Sequence, residues 1–361
     1  MIPLSDRRRR DGNDCEEVTG MGINDDHGRM SRRDFLATAS TTLVGSSILA
    51  AGLTSPAAAA AGPITPPGTE GFKTGITQAN GLEFHYFEMG QGPLALCLHG
   101  WPDSPYTYRH LLPELAKAGY RAVVPFMRGY HPTAIPTKLT DTHDLATDVA
   151  ALHDALGGDA SAVLIAHDWG AVAAYGGAAL GPNHWRRCVI MNVPPLAIDA
   201  SLMFNYPQIK REFYWWFFQQ QISTQIVALN DFSFLDGIWA DWSPGYDAHE
   251  DLPHSKDCLR PPGHLDAALG YYRTFFDPKR FGTPEAAAEQ AANWGRPITQ
   301  PTLYMHGTQD GLFPLDASTQ QRIPAFIGPR AQIQMIDGVG HFMLVEKPQV
   351  VNSHILSFIA G

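Results

Sequence analysis

Residues 162–180 read as a buried strand, a one-residue elbow and a helix, and this succession restricts the fold more than any other feature of the chain. Ala162-Val163-Leu164-Ile165 is a continuous apolar run of the kind that fills an inner strand of a parallel sheet. Ala171 to Leu180 is alanine-rich and reads as a helix. Between them lies Ala166-His167-Asp168-Trp169-Gly170. Its small residues, Ala166 and Gly170, stand where a larger side chain would clash in a sharp strand-to-helix turn.

Other segments continue the alternation. Leu82 to Glu88 has the period-two pattern of an outer strand, and 94–98 and 122–124 are short apolar runs suited to inner strands. Tyr106 to Ala118 and Leu145 to Leu156 carry helical spacing. Strand-like runs recur at 162–166, 188–191, 302–305 and 333–336, and Gln349 to Ile359 reads as a closing helix. The expected fold is α/β, a doubly wound and mostly parallel sheet with its site at the carboxyl ends of the strands. The alternation stops between about Ala197 and Gln300, where aromatic residues crowd, among them Phe213 to Phe218, Trp239 and Trp242. That segment, 197–299, is expected to form a helical cap that walls an apolar pocket, with the core made of 76–196 and 300–361.

The first 61 residues are expected to be a leader. Ser31-Arg32-Arg33-Asp34-Phe35-Leu36 fits the twin-arginine export pattern, and a moderately apolar stretch leads to the alanine tract 57–61, which offers A-x-A cleavage sites. Met1, Met21 and Met30 are all candidate starts. Residues 62–75, rich in Pro, Gly and Thr, read as a flexible lead-in. Export would place the mature protein in the periplasm or outside the cell. The leader holds 7 basic and 8 acidic residues, so the remainder keeps a formal charge of −9. It has no basic cluster, which argues against nucleic-acid partners and against stable membrane association after cleavage. Cys97, Cys188 and Cys258 have neither disulfide nor metal spacing, and no cofactor or metal is expected. The sequence does not set an oligomeric state.

The residue at the elbow selects the chemistry. A hydroxyl that attacked saturated carbon would end as an ether, whereas a carboxylate forms an ester that water can cleave. Asp168 therefore points to substitution at sp³ carbon, with epoxides and alkyl halides as candidate substrates. His341, in Gly338-Val339-Gly340-His341-Phe342, lies between the last strand and the last helix, where a triad histidine belongs. Asp310 follows a strand and can orient that imidazole, whereas Asp316 and Asp337 read as loop carboxylates. The other position for the acid, after the strand ending at Met191, holds Asn192. The backbone N–H groups of Trp101 and Trp169 are candidates for an oxyanion hole. His99 and His167 read as braces for their loops.

With these motifs the chain from about Phe72 to Gly361 resembles the α/β-hydrolase superfamily and, within it, the epoxide hydrolases. His99-Gly100-Trp101-Pro102 is similar to their H-G-x-P segment, Ala166-His167-Asp168-Trp169-Gly170 to their nucleophile elbow, and Arg128-Gly129-Tyr130 to their R-G-Y segment. The resemblance implies two cap tyrosines that hold and protonate the epoxide oxygen. Phe213-Tyr214-Trp215-Trp216 nominates Tyr214, and Tyr271-Tyr272-Arg273 nominates Tyr272, because the family tyrosine precedes a basic residue. Ala166 departs from the usual glycine, and His131 from a frequent glycine after Tyr130. The implied substrates are a small apolar epoxide and water. A haloalkane dehalogenase would share Asp168 and His341 but needs two N–H donors around a halide. A scaffold that binds small ligands without turnover is the reading from another class.

Overall fold

The computed structural model describes residues 70–195, 198, 203–294 and 296–361. The chain divides into units 1–63 and 64–361, and every described residue belongs to the second. The expected export motif and alanine tract lie outside the described residues.

Strands β1 (Lys73–Ala79) and β2 (Leu82–Gly90) form an antiparallel hairpin in which Ala79 pairs with Leu82. Asn80 and Gly81 close it, both at positive φ, which is the backbone a two-residue hairpin turn demands. Strand β1 thus begins inside the stretch 62–75 that was expected to be a flexible lead-in. Its sequence, KTGITQA, is mostly polar because the strand lies at the sheet edge with much of it exposed.

Strands β3 (Leu94–Leu98), β4 (Arg121–Pro125), β5 (Val163–His167), β6 (Arg187–Met191), β7 (Thr302–Gly307) and β8 (Ala331–Ile336) complete one eight-stranded sheet. Its order is β1-β2-β4-β3-β5-β6-β7-β8. The β2–β4 pair is antiparallel, and all pairs from β4 to β8 are parallel. Every residue of β3 and β5 is buried, as their unbroken apolar runs require.

The chain leaves β3 toward β4 and then returns past β3 to β5. With right-handed crossovers this reversal sends α1 (Leu112–Lys117) to one face and α2 (Thr142–Ala155) and α3 (Trp169–Leu180) to the other. It also opens a crevice between the carboxyl ends of β3 and β5, where α/β sheets place their ligands. The helix expected over Tyr106 to Ala118 is instead a 3₁₀ turn, Pro105–Tyr108, followed by α1. Pro113 has no N–H to continue a helix from residue 109, and Tyr108 is buried with its hydroxyl donating to Leu98 O at 2.8 Å.

Between β6 and β7 the described chain is helical: α4 (Tyr206–Arg211), α5 (Phe213–Phe217), α6 (Ser223–Trp242), α7 (Leu252–Leu259), α8 (His264–Phe275) and α9 (Pro284–Trp294). Asn230, Asp231 and Phe232, all at positive φ, break α6 into two segments. After β7 come α10 (Ala317–Ile327), then β8, α11 (Met343–Glu346) and α12 (Pro348–Ala360). Two buried ion pairs fasten the layers. Arg128 grips Asp148 of α2 through two 2.5 Å hydrogen bonds, and Arg109 meets Asp251 in the helical segment at 2.5 Å. Among the described residues no helix is long and apolar enough to cross a membrane.

The helix that begins at the elbow packs tightly on α2. A Cβ on Gly177 would lie 2.4 Å from Val149 Cβ, so the two helix backbones approach through a glycine. Gly177→Ala should destabilise the protein by about 1–3 kcal/mol through overpacking, despite alanine's better helix propensity. Urea unfolding tests this, and unchanged or increased stability would show that the helices can separate freely.

Candidate active site

The reversal in strand order brings two loops together, the one after β3 and the elbow after β5. Asp168 sits at the elbow with φ 51° and ψ −121°, a strained conformation for a residue with a side chain. Its neighbours must be small. A Cβ on Gly170 would lie 2.3 Å from Leu98 O, and one on Gly100 would lie 2.1 Å from Asp168 Oδ1. With glycine at 100, the Trp101 backbone N–H donates to Asp168 Oδ1 at 2.7 Å. Trp169, the other nominated N–H donor, opens α3 directly after Asp168.

His341 lies across from the elbow. Its Nε2 is 3.5 Å from Asp168 Oδ2, an ion-pair contact rather than a hydrogen bond, and its Nδ1 is 3.0 Å from Asp310 Oδ2. Asp310 is fully engaged. Oδ1 accepts from the Leu312 and Phe313 backbone N–H groups at 2.8 and 3.0 Å, and Oδ2 accepts from Asn192 Nδ2 at 2.7 Å. Asn192, read in the sequence only as unfit to be the acid, therefore orients the acid. The signal was its place after β6, beside β7 in the sheet. The rival carboxylates lie elsewhere: Asp316 caps α10 by accepting from Thr319 N, and Asp337 accepts from Thr308.

The histidine loop is held at several points. The His341 N–H donates to Trp242 O at 3.1 Å, and its carbonyl accepts from His167 Nε2 at 2.9 Å. Glu346 accepts from Gly340 N and from Ser243 Oγ, which in turn accepts from Phe342 N. His99 donates from Nδ1 to Gly100 O at 2.9 Å and accepts at Nε2 from Met127 N at 3.1 Å. Burial lowers both His99 and His167 to about 4, so each is a neutral brace.

The charges in the centre are coupled. Burial opposes a charged imidazole at His341, but the Asp310 and Asp168 carboxylates outweigh it and raise its pKa from 6.5 to about 10. Burial likewise opposes ionisation of Asp310, yet the His341 cation and the Asn192 hydrogen bond hold its carboxyl well below the usual range. The resting centre is thus an imidazolium between two carboxylates.

Tyr214 from α5 and Tyr272 from α8 are both buried, with ring centroids 5.4 Å apart at 82°. Trp101 stacks on Tyr214 at 5.6 Å, and Trp169 meets Tyr272 edge-on at 5.0 Å. Burial, reinforced by the Asp168 charge, pushes both phenols well above 10, which keeps them as donors. Tyr271 faces away and donates to Arg128 O at 2.8 Å. Asp168, Tyr214 and Tyr272 line one small cavity of about 40 Å³ whose other walls are apolar, including Trp215, Phe275, Phe276 and Phe313. The nominated catalytic side chains therefore converge, with Asp310 behind His341.

Residues 93–348 match the alpha/beta hydrolase fold family. An epoxide hydrolase of Caballeronia sordidicola is 30% identical over 81% of this chain and 94% of its own length. The chain belongs to the epoxide hydrolase family of α/β-hydrolases. The fold agrees with that membership. A crystal structure of an epoxide hydrolase from Bacillus megaterium with an inhibitor superposes on this hydrolase with a TM-score of 0.68 at 26% identity, covering 80% of this chain and 100% of the other. An epoxide hydrolase from Vigna radiata gives 0.69 at 25% identity, with 81% and 98% covered.

The charge coupling has a pH signature in this hydrolase. Because folding raises the His341 pKa above its unfolded value, the stabilisation is fully present below about pH 6.5 and is lost as the pH rises toward 10. Asp168→Asn removes one of the two carboxylates, so His341 should titrate at clearly lower pH, and the stability loss should be smaller and complete at lower pH. NMR titration of the His341 ring measures this directly, and an unshifted midpoint would show that Asp168 does not hold that proton.

Proposed function

We propose that this hydrolase opens epoxides to vicinal diols through a covalent ester on Asp168. The carrying observation is that Asp168 and two protonated phenols face one cavity whose remaining walls are apolar. A carboxylate nucleophile and two hydrogen-bond donors are what ring opening at saturated carbon requires. The walls select an uncharged, apolar epoxide, since among the described residues that line the cavity there is no cation or second acid to pair with a charged substituent.

Asp168 attacks the less hindered ring carbon, and that C–O bond breaks as Tyr214 and Tyr272 hydrogen-bond the oxygen and supply its proton. The product is a hydroxyalkyl ester. Esterification removes the Asp168 charge that helped raise the His341 pKa, so the imidazole gives up a proton, which replaces the one the phenol gave and restores it. Neutral His341, steadied by Asp310, then takes a proton from water as that water attacks the Asp168 carboxyl carbon. The Trp101 and Trp169 N–H groups stabilise the oxyanion. Collapse breaks the ester C–O bond, the departing oxygen takes the proton of the new carboxyl O–H, and the Asp168 carboxylate, the diol and the His341 imidazolium are left.

A halide reading is less well served. Trp169 lines the cavity, but Trp101, the other candidate donor, does not, whereas both tyrosines do. We also infer that the chain is exported by the twin-arginine route, on the strength of Ser31-Arg32-Arg33-Asp34-Phe35-Leu36. Arg32→Lys with Arg33→Lys should hold the protein in the cytoplasm on cell fractionation, and unchanged export would reject that route.

In a single turnover in heavy-oxygen water, the label should enter the side chain of Asp168 and not the first diol released. Label in that diol would mean direct hydration and would overturn the covalent mechanism. Tyr214→Phe with Tyr272→Phe should slow ester formation by about 10²–10⁴-fold while sparing ester hydrolysis. His341→Gln should let the ester accumulate, visible by mass spectrometry.

A further inference from the structure

At the end of the sheet opposite Asp168, α2 finishes beside the loop that leads from α3 into β6. Three metal-ligating side chains meet there: His153 and Asp154 from the last turn of α2, and His184 from the loop. His153 Nδ1 is 2.8 Å from Asp154 Oδ1, and His184 Nε2 is 3.6 Å from the same oxygen. The two imidazoles lie with centroids 4.4 Å apart, and Trp185 packs edge-on against His153 at 4.9 Å.

The hydrogen bonding of His153 is unbalanced. Its Nε2 lies 3.2 Å from the Asp159 carbonyl while its Nδ1 faces the Asp154 carboxylate. Both partners are acceptors. In either neutral tautomer one ring nitrogen therefore points a lone pair at an oxygen lone pair. With Nε2–H donating to the carbonyl, the mismatch falls at Nδ1, and either a second ring proton or a metal cation at Nδ1 resolves it. A backbone carbonyl that fixes the tautomer of a metal-bound imidazole is a usual support for such a site. His184 is also under-used. Its Nε2 stops just beyond hydrogen-bond reach of Asp154.

Glycines make room for both rings. A Cβ on Gly158 would lie 2.5 Å from His153 Cδ2, and one on Gly181 would lie 2.1 Å from His184 Nδ1. At ordinary bond lengths, tetrahedral zinc separates its N and O ligands by about 3.3 Å, between the two distances seen here. The carboxyl end of α2 adds a favourable field for a cation. Asp154 is 69% exposed, which leaves the remaining coordination positions open to water.

We propose that His153 Nδ1, Asp154 Oδ1 and His184 Nε2 bind one borderline divalent cation of the zinc class, clasping the end of α2 to the α3–β6 loop. Two imidazole donors favour such an ion over the hard cations Mg²⁺ and Ca²⁺, which prefer oxygen ligands. Lying away from the catalytic cavity, the site acts on stability and not on turnover.

The test is calorimetric titration of the metal-free protein with Zn²⁺, alongside thermal unfolding. One equivalent should bind and raise Tm, with kcat unchanged, and Mg²⁺ at the same concentration should do neither. His184→Ala and Asp154→Asn, both at exposed or half-exposed positions, should each weaken Zn²⁺ binding at least tenfold and abolish the Tm shift. His249→Ala, an exposed histidine beside Asp247, serves as the control and should bind as the parent does. Equal affinity in the parent and the first two variants would overturn the proposal. So would ¹⁵N NMR showing His153 protonated on both nitrogens and undisturbed by Zn²⁺.

Discussion

A buried carboxylate at positive φ is an expensive thing for a protein to keep, and the core is arranged around compensating it. Asp168 is 4% exposed and receives one backbone N–H, from Trp101, and one imidazolium, from His341. An unpaired charge there would cost several kcal/mol. The compensation explains the constraints around it. Gly100 must lack a side chain for the Trp101 N–H to reach Oδ1, and Gly170 must lack one for α3 to begin against the Leu98 carbonyl. The strand order supplies the rest, because only the reversal at β3 sets the H-G-W-P loop beside the elbow.

The helical segment between β6 and β7 is part of the same electrostatic design. Its aromatic rings displace water from the carboxylate and the imidazole, and attraction between opposite charges grows as the local dielectric falls. The segment is pinned to both loops it covers. Trp239 donates to Pro102 O at 2.8 Å and stacks on Phe342 with centroids 3.5 Å apart. Ser243 bridges Glu346 and Phe342, and Trp242 covers the His341 ring. Movement of this segment would therefore disturb the histidine loop as well as the two tyrosines.

Much of this was legible in the sequence because the signals are local. An apolar run, an elbow with small neighbours and an alanine-rich helix announce β5, Asp168 and α3. His341 and Asp310 declare themselves by their places after strands. What was missed depends on partners distant in sequence. Strand β1 is polar because it is an edge, and its signal was the Asn80-Gly81 turn rather than its own pattern. The break between the 3₁₀ turn and α1 follows from Pro113 and from a tertiary bond made by Tyr108. Asn192 gained its role from a carboxylate on the neighbouring strand, and Arg128 from Asp148 on α2. The kink at Asn230 to Phe232 has no counterpart in the apolar spacing of α6. The pairing of His184 with His153 joins two elements, so no spacing motif displays it.

The contact between His341 and Asp168 also bears on how a single histidine would serve two steps of the proposed cycle. At 3.5 Å without a hydrogen bond, Nε2 is close enough for the carboxylate to stabilise the imidazolium and is not locked to it. Nδ1 is hydrogen-bonded to Asp310 at 3.0 Å, so in the proposed cycle the ring can lose its Nε2 proton without turning. In the proposed cycle, forming the ester cancels the charge that held the proton, and the base is released only when a covalent intermediate is ready for it. A shorter bond between Nε2 and Asp168 would stabilise the resting enzyme more and would tie up the oxygen needed for attack. The longer contact suits a site whose charges must change partners in the proposed cycle.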